Sequence, residues 1–177
     1  MANKNSQNMI TRESIFTALM ILMEQKKFNE ISITEVAKKA GVSRMAFYRN
    51  YNIMEDIISS HLDEFFKDYS EQVLSGEKTN NYQGVCTYFS YFRKQEKLIT
   101  NLNNSKLTYL ILEKCTGFFQ SLLKDVVCEK LYSREKERYT IEFLSGGIYK
   151  ILIEWAKSGM KESDENMAKI LYDLITE

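Results

Sequence analysis

The stretch from Ser32 to Tyr51, SITEVAKKAGVSRMAFYRNY, constrains the fold more than any other part of the chain. Ser32 and Glu35 have the S-x-x-E spacing of a capping box, which starts a helix. Gly41 can take the positive φ that ends this helix, and Ser43 can cap a second helix after a turn of a few residues. Two short helices joined by so tight a turn predict a helix-turn-helix.

The sides of the second short helix differ in chemistry. Phe47 and Tyr51 are four residues apart and should face the interior together. The other sides carry arginine, tyrosine and asparagine, which suit contacts to phosphates and base edges. A solvated surface helix is the alternative, but cap, turn glycine and aromatic anchors coincide here. The predicted DNA-binding residues are Ser32, Ser43, Arg44, Met45, Tyr48, Arg49 and Asn50.

This stretch resembles the DNA-binding region of TetR-type transcriptional regulators. Every fixed position of the pattern T/S-x-x-E-[IV]-A-x-x-A-G-V-S-x-x-x-[FL]-Y-x-x-[FY] is met between Ser32 and Tyr51. The resemblance implies an all-α homodimer with an N-terminal DNA-binding domain and a larger C-terminal domain for dimerisation and, often, ligand sensing. It also implies a cytoplasmic protein that usually represses transcription. Family members usually carry a lysine at the position of Met54 and a small hydroxyl residue at Ile53, so one phosphate contact is in question.

Composition agrees with this interpretation. The chain has no proline, which fits consecutive helices. Residues 1–54 carry eight Lys and Arg against four Asp and Glu, a net charge of +4, and the rest of the chain carries −4. Such a polarised molecule can turn its basic end towards a phosphate backbone. The polar start and the lack of any apolar run near ~18 residues also predict a cytoplasmic protein.

Helical spacing of apolar residues predicts about nine helices and no strands. We expect a DNA-binding domain over residues 1–54 and a helical dimerisation and effector domain over residues 55–177. The first helix is expected over residues 12–25, capped by Thr11 after a mobile lead-in. A cap-like N-x-x-E at Asn52 starts a long helix to about Leu74 that links the domains. Later helices are expected over residues 82–93, 96–102, 106–131, 134–157 and 164–175, with caps at Ser105, Ser133 and Ser163 and a loop from Asn101 to Ser105.

The last two helices carry apolar residues on more than one side, so part of their surface is available to a partner. Gly146 and Gly147 each cost ~1 kcal/mol in a helix relative to alanine, which fits a close approach of two backbones. A buried crossing within one chain is the alternative. The predicted homodimer interface comprises Ile141, Leu144, Gly146, Gly147, Ile148, Ile170 and Leu174.

Sixteen of the twenty-one Phe and Tyr residues follow residue 54, enough to line an apolar pocket or simply to fill a core. A small apolar or aromatic effector bound there would tilt the long helix and change the spacing of the two recognition helices. The candidate pocket residues are Phe65, Phe66, Tyr69, Tyr88, Phe92 and Phe118.

We therefore predict a sequence-specific transcriptional regulator that binds a double-stranded DNA operator. It is expected to be a repressor that a small-molecule effector releases from DNA. The alternative is a TetR-like co-regulator that acts through protein partners with weak or no DNA binding, which only Met54 favours. Nothing indicates an enzyme, a cofactor or a metal. The single histidine, His61, suits a surface or packing role, the cysteines Cys86, Cys115 and Cys128 lack metal-ligand spacing, and no phosphate loop or nucleophile motif is present.

Overall fold

The computed structural model describes residues 2–75, 81–126 and 134–176, and these ranges contain helices and turns but no strand. This confirms the predicted all-α class. Nine α-helices and one short 3-10 turn, Phe28–Glu30, lie within the described ranges. The helices are α1 (Ala2–Met23), α2 (Ile33–Lys39), α3 (Arg44–Tyr48), α4 (Glu55–Ser75), α5 (Asn81–Arg93), α6 (Glu96–Asn104), α7 (Tyr109–Val126), α8 (Arg134–Lys157) and α9 (Asp164–Thr176).

The capping box and the turn glycine form as predicted. The Ser32 hydroxyl accepts a hydrogen bond from the Glu35 amide at 3.3 Å. The Glu35 carboxylate accepts from the Ser32 amide at 2.9 Å. Gly41 has a φ of +69°, which ends α2 and admits the tight turn into α3. The fully buried Leu19, Val36 and Phe47 join the three N-terminal helices in one core.

Two predicted helix starts need correction. The first helix begins at Ala2 rather than at Arg12. This start was missed in the sequence because the polar opening residues show no apolar stripe that would indicate a helix. Thr11 therefore does not cap α1; its hydroxyl donates to the Gln7 carbonyl within the helix at 2.8 Å. Helix α4 begins at Glu55 rather than directly after Asn52, and the carboxylate that closes this turn belongs to Asp56, which accepts from the Asn52 amide at 2.8 Å.

The turn between α6 and α7 also differs from expectation. The predicted loop from Asn101 is wrong, since α6 continues to Asn104. Ser105 ends α6 instead of starting α7, and the positive φ of +59° at Lys106 reverses the chain before α7 begins. The predicted end of this helix at Leu131 and the cap at Ser133 lie outside the described residues.

The end of α8 and the start of α9 form as predicted. Gly159 ends α8 with a φ of +78°. The Ser163 hydroxyl then caps α9 by accepting from the Asn166 amide at 3.2 Å.

Helix α4 connects the N-terminal helices to the rest of the molecule. It packs against α1, α5 and α7, while α8 packs on α6 and α7 and α9 packs on α5. The buried core is continuous from Ile15 in α1 to Leu171 in α9. No helix in the described part of the chain combines the length and hydropathy needed to cross a bilayer.

Candidate nucleic-acid interface

A buried aromatic anchor sets the orientation of α3. Phe47 is fully buried, and its ring packs against the ring of Tyr51 with centroids 5.8 Å apart. Burial of this side of the helix leaves Arg44, Met45 and Tyr48 on the outside; Met45 is 72% exposed and Tyr48 is 46% exposed. The predicted division of α3 into an inner and an outer side is therefore present in the structure.

Two of the predicted contact residues also hold α3 in shape. The Ser43 hydroxyl accepts from the Ala46 amide at 3.1 Å and caps the start of the helix. The half-buried Asn50 donates its side-chain amide to the Ala46 carbonyl at 2.8 Å. Ser43 keeps its hydroxyl proton and Asn50 keeps its side-chain oxygen for an external partner. Ser32 is engaged in the capping box at the start of α2.

The charge of this surface is positive and unneutralised. Arg44 and Arg49 form no ion pair with any residue of the described ranges. Glu35 is the one acidic residue between Ser32 and Tyr51. Hydrogen bonds from Lys26, at 2.5 Å, and from Ser32 lower the pKa of Glu35 to about 2, so its carboxylate is charged at pH 7 and paired with Lys26. The exposed side of α3 thus presents two arginines that no carboxylate of the described ranges pairs with.

A polar network that sequence reasoning missed fixes α3 relative to α4. The guanidinium of Arg12 donates to the Tyr51 hydroxyl at 3.4 Å and pairs with the Glu64 carboxylate at 3.0 Å. One side chain of α1 therefore contacts both the residue that follows the helix-turn-helix and the middle of α4. The spacing of these three residues in sequence gives no signal of their contact, because it depends on how α1 crosses α4.

A cleft of about 400 Å³ adjoins this network between α1 and α4. Within it His61 stacks on Phe16, with ring centroids 3.7 Å apart and planes 10° from parallel. Burial lowers the pKa of His61, so the ring is neutral at pH 7. Of the surface and packing roles that the sequence left open for His61, the structure shows packing at the junction of α1 and α4.

The two positions that depart from the family pattern lie beside this interface. Met54 is half-buried and packs against the core, whereas Ile53 is exposed. An apolar side chain directed at the core supplies no charge to a phosphate. Any phosphate contact near the start of α4 therefore comes from other groups.

A family model described as "Transcriptional regulator C-terminal region", of the TetR type, matches residues 79–177, more than half of the chain. The chain belongs to the TetR family of transcriptional regulators. No curated protein sequence matches it.

Solved structures of transcriptional regulators share the fold at low sequence identity. A TetR transcriptional regulator from Streptococcus agalactiae 2603V is 18% identical over 98% of each chain, with a TM-score of 0.67. The fatty acid degradation regulator FadR from Bacillus halodurans is 20% identical over 93% of each chain, also with a TM-score of 0.67. The dihydroxyacetone kinase operon activator DhaS is 16% identical over 94% of each chain, with a TM-score of 0.61.

The six candidate effector residues of this TetR-family regulator come together, but they fill the space between α4, α5 and α7. All except the half-buried Phe118 are buried. Ring centroids are 4.7 Å apart for Phe65 and Phe92, 4.6 Å for Tyr88 and Phe92, and 5.1 Å for Tyr69 and Phe118. These distances are those of packed aromatic pairs. An open groove of about 630 Å³ between α4 and α7 reaches Phe66 and Phe118 from the surface.

Cys115 lies against this aromatic cluster. Its sulfur is 3.9 Å from the Tyr88 hydroxyl, and burial raises the pKa of the thiol to about 12. A thiol with so high a pKa is protonated at pH 7 and is a poor nucleophile. Cys115 thus serves packing, and Cys128 lies outside the described residues.

The predicted dimer residues of the regulator differ in their exposure. Ile141 and Ile148 are buried within the protomer and face its core, whereas Gly147, Ile170 and Leu174 are exposed. Leu144 and Gly146 are intermediate. The sequence reading missed other exposed apolar side chains on the same two helices, namely Tyr139, Phe143 and Ile175.

The glycine pair distinguishes the two explanations given for it. A Cβ at Gly146 or Gly147 would meet no atom within 4 Å in the described part of the protomer. A crossing helix among the described residues of the same chain therefore does not explain the two glycines. The space beside them is open.

Proposed function

We propose that this TetR-family regulator binds a specific double-stranded DNA operator through the outer side of α3. The observation that carries the proposal is the exposed group of Arg44, Tyr48 and Arg49 on a helix held by the buried Phe47, with neither arginine in an ion pair within the described ranges. Arginine can pair with guanine edges or phosphates, and tyrosine can donate to phosphate oxygens. We assign residues 1–54 to DNA binding and residues 55–177 to dimerisation and effector binding. We place the regulator in the cytoplasm, with no catalytic role.

Alanine in place of Tyr48 tests this proposal, with alanine in place of Phe47 as a matched control. The Tyr48 ring makes an edge contact with the Phe47 ring, at 5.4 Å between centroids. Its loss should cost less than about 1.5 kcal/mol of folding stability yet weaken binding strongly to a DNA fragment that the wild-type protein retains. Phe47→Ala removes a fully buried ring and should cost about 3–5 kcal/mol.

Urea unfolding and fluorescence anisotropy with labelled DNA separate these two effects. Tyr48→Ala should lose binding while it keeps its fold, whereas Phe47→Ala should lose both. Full affinity in a folded Tyr48→Ala variant would show that the assigned face is wrong.

The regulator is proposed to act as a homodimer through α8 and α9. In support, Phe143 is 71% exposed and Leu174 is 64% exposed, and the open space beside Gly146 and Gly147 allows a second backbone to approach. Large apolar side chains exposed on α8 and on α9 support an interaction surface on these helices. An operator with two half-sites requires the two copies of α3 in such a dimer to lie about one DNA turn apart, ~34 Å, or a small multiple of it.

The regulator is further proposed to be a repressor that a small apolar or aromatic effector releases. Glu64 and Phe65 are neighbours in α4: Glu64 pairs with Arg12 of α1, and Phe65 packs in the aromatic cluster. One turn of α4 therefore contacts both Arg12, which holds Tyr51 at the end of the helix-turn-helix, and the candidate effector site. A ligand that prefers a tilted α4 would change the separation of the two α3 helices, and a coupling of ~1–3 kcal/mol is enough for release.

The second candidate function is a co-regulator that acts through protein partners. The apolar Met54, which packs on the core, favours it because one basic contact to DNA is absent. The two functions differ in one measurable respect. A co-regulator of this kind retains no DNA fragment in preference to others, whereas a DNA-binding regulator does.

A further inference from the structure

Met45 is an apolar side chain on the otherwise polar outer side of α3. It is 72% exposed and is not among the side chains that pack against the core, whereas Met20 and Met54 are. A singly exposed apolar residue is common on protein surfaces and carries no meaning by itself. Its position gives it meaning, because residues three and four apart on a helix are neighbours. Met45 therefore lies beside Tyr48 and Arg49, in the middle of the proposed DNA-binding surface.

The chemistry of the side chain restricts what it can recognise there. A methionine has no hydrogen to donate and accepts only weakly, so it gains little from a phosphate or from a polar base edge. In the major groove the apolar group that a base pair offers is the C5 methyl of thymine. The flexible, polarisable thioether adapts its shape to such a contact.

We infer that Met45 contacts the C5 methyl group of a thymine in each half-site of the operator. The inference rests on the proposed function, since it requires that α3 enter the major groove. It adds a statement about specificity: each half-site contains a thymine whose methyl group contributes to binding. Arg44, Tyr48 and Arg49 supply the polar contacts around it.

Replacement of thymine by uracil tests this inference, because uracil keeps the base pair and lacks only the methyl group. The full-length protein first selects binding sequences from a pool of DNA duplexes with a randomised centre. Each thymine of the selected sequence is then replaced by uracil in turn, and affinity is measured by fluorescence anisotropy. At one thymine per half-site the wild-type protein should bind about four-fold more weakly, the loss for one buried methyl-sized group. Replacement in both half-sites should weaken binding roughly fifteen-fold.

Variants connect the effect to Met45. Each of the variants Met45→Ala and Met45→Gln should bind the thymine duplex and the uracil duplex with the same affinity. Alanine is too short to reach the methyl group, and glutamine, although similar in length to methionine, is polar. Neither substitution disturbs the fold, since the side chain is exposed, and circular dichroism checks this. Met9→Ala is the matched control: Met9 is 70% exposed and lines the cleft between α1 and α4, so this variant should discriminate thymine from uracil as the wild type does.

The possible failures are distinct. If no sequence is selected from the pool, the proposed DNA-binding function is wrong. If a sequence is selected but no uracil replacement weakens binding, or if Met45→Ala still discriminates thymine from uracil, the methyl contact is wrong and the proposed function stands.

Discussion

Leucine substitutions at two exposed helical glycines give a controlled test of how two protomers meet. Gly147 lies in α8 on the proposed dimer surface, and Gly117 lies in α7 beside the groove towards α4. A Cβ at either position would meet no atom within 4 Å. Leucine has a higher helix propensity than glycine, by ~1 kcal/mol, so both substitutions should stabilise the isolated protomer to a similar extent.

In the dimer the two substitutions should differ. If the backbones approach at Gly147, a leucine there overfills the contact, and overpacking costs typically ~1–3 kcal/mol. A two-fold symmetric interface contains this contact twice, so the cost is ~2–6 kcal/mol. The dimer dissociation constant should rise by about thirty-fold to twenty-thousand-fold. Gly117→Leu should leave that constant unchanged.

Sedimentation equilibrium over a range of protein concentrations measures the dimer dissociation constants of the wild type and of the two variants. The wild type and Gly117→Leu should show twice the chain mass of 20.8 kDa at micromolar concentration, and Gly147→Leu should shift towards the monomer. Thermal melting at a concentration where all three are monomeric should show both variants at least as stable as the wild type. A Gly147→Leu dimer with an unchanged dissociation constant, or a wild-type monomer, would refute the proposed interface.

Two further predictions concern the effector and the capping box. Phe66→Trp should add bulk to the aromatic cluster, so that a compound which releases the wild-type protein from DNA no longer releases the variant, while its DNA affinity in anisotropy is unchanged. A compound that raises the melting temperature of the wild type through residues 55–177 but leaves DNA affinity unchanged would contradict the coupling through α4. Glu35→Gln keeps a capping side chain but loses the charge, and the pKa of Glu35 is lowered from 4.5 to about 2 by Lys26 and Ser32. A lowered pKa stabilises the fold above the ordinary glutamate range, so the stability advantage of the wild type in urea should be full above pH 4.5 and shrink as the pH falls towards 2. An advantage that is independent of pH would contradict the ion pair.

The sequence predicts helix ends well where a few neighbouring residues determine them. Ser32 with Glu35, Ser43, Gly41 and Gly159 are local signals, and the structure has each cap or turn where it was expected. The start of α1 was missed because a helix of polar residues carries no apolar stripe. The turn after α6 was missed because a serine suits either end of a helix, and Ser105 ends one here.

Contacts between distant parts of the chain were not predictable in the same way. Aromatic residues at helical spacing either line a cavity or fill a core, and only packing decides; here Phe65, Phe92 and their neighbours are in contact. The network of Arg12, Tyr51 and Glu64 depends on how three elements cross. The exposure of Gly147 likewise depends on which side of α8 packs against α7, and this side is set by the whole C-terminal part of the fold.

Retention of genomic DNA fragments by the full-length protein decides whether α3 reads a DNA sequence. The protein is mixed with fragmented genomic DNA and an excess of unrelated competitor DNA, and retarded complexes are analysed for sequence and for the number of protomers bound. We predict that a small set of fragments is retained, that these share a two-fold symmetric site, and that each site holds two protomers. Equal retardation of all fragments, or of none, would contradict the proposal that this regulator is a sequence-specific DNA-binding protein.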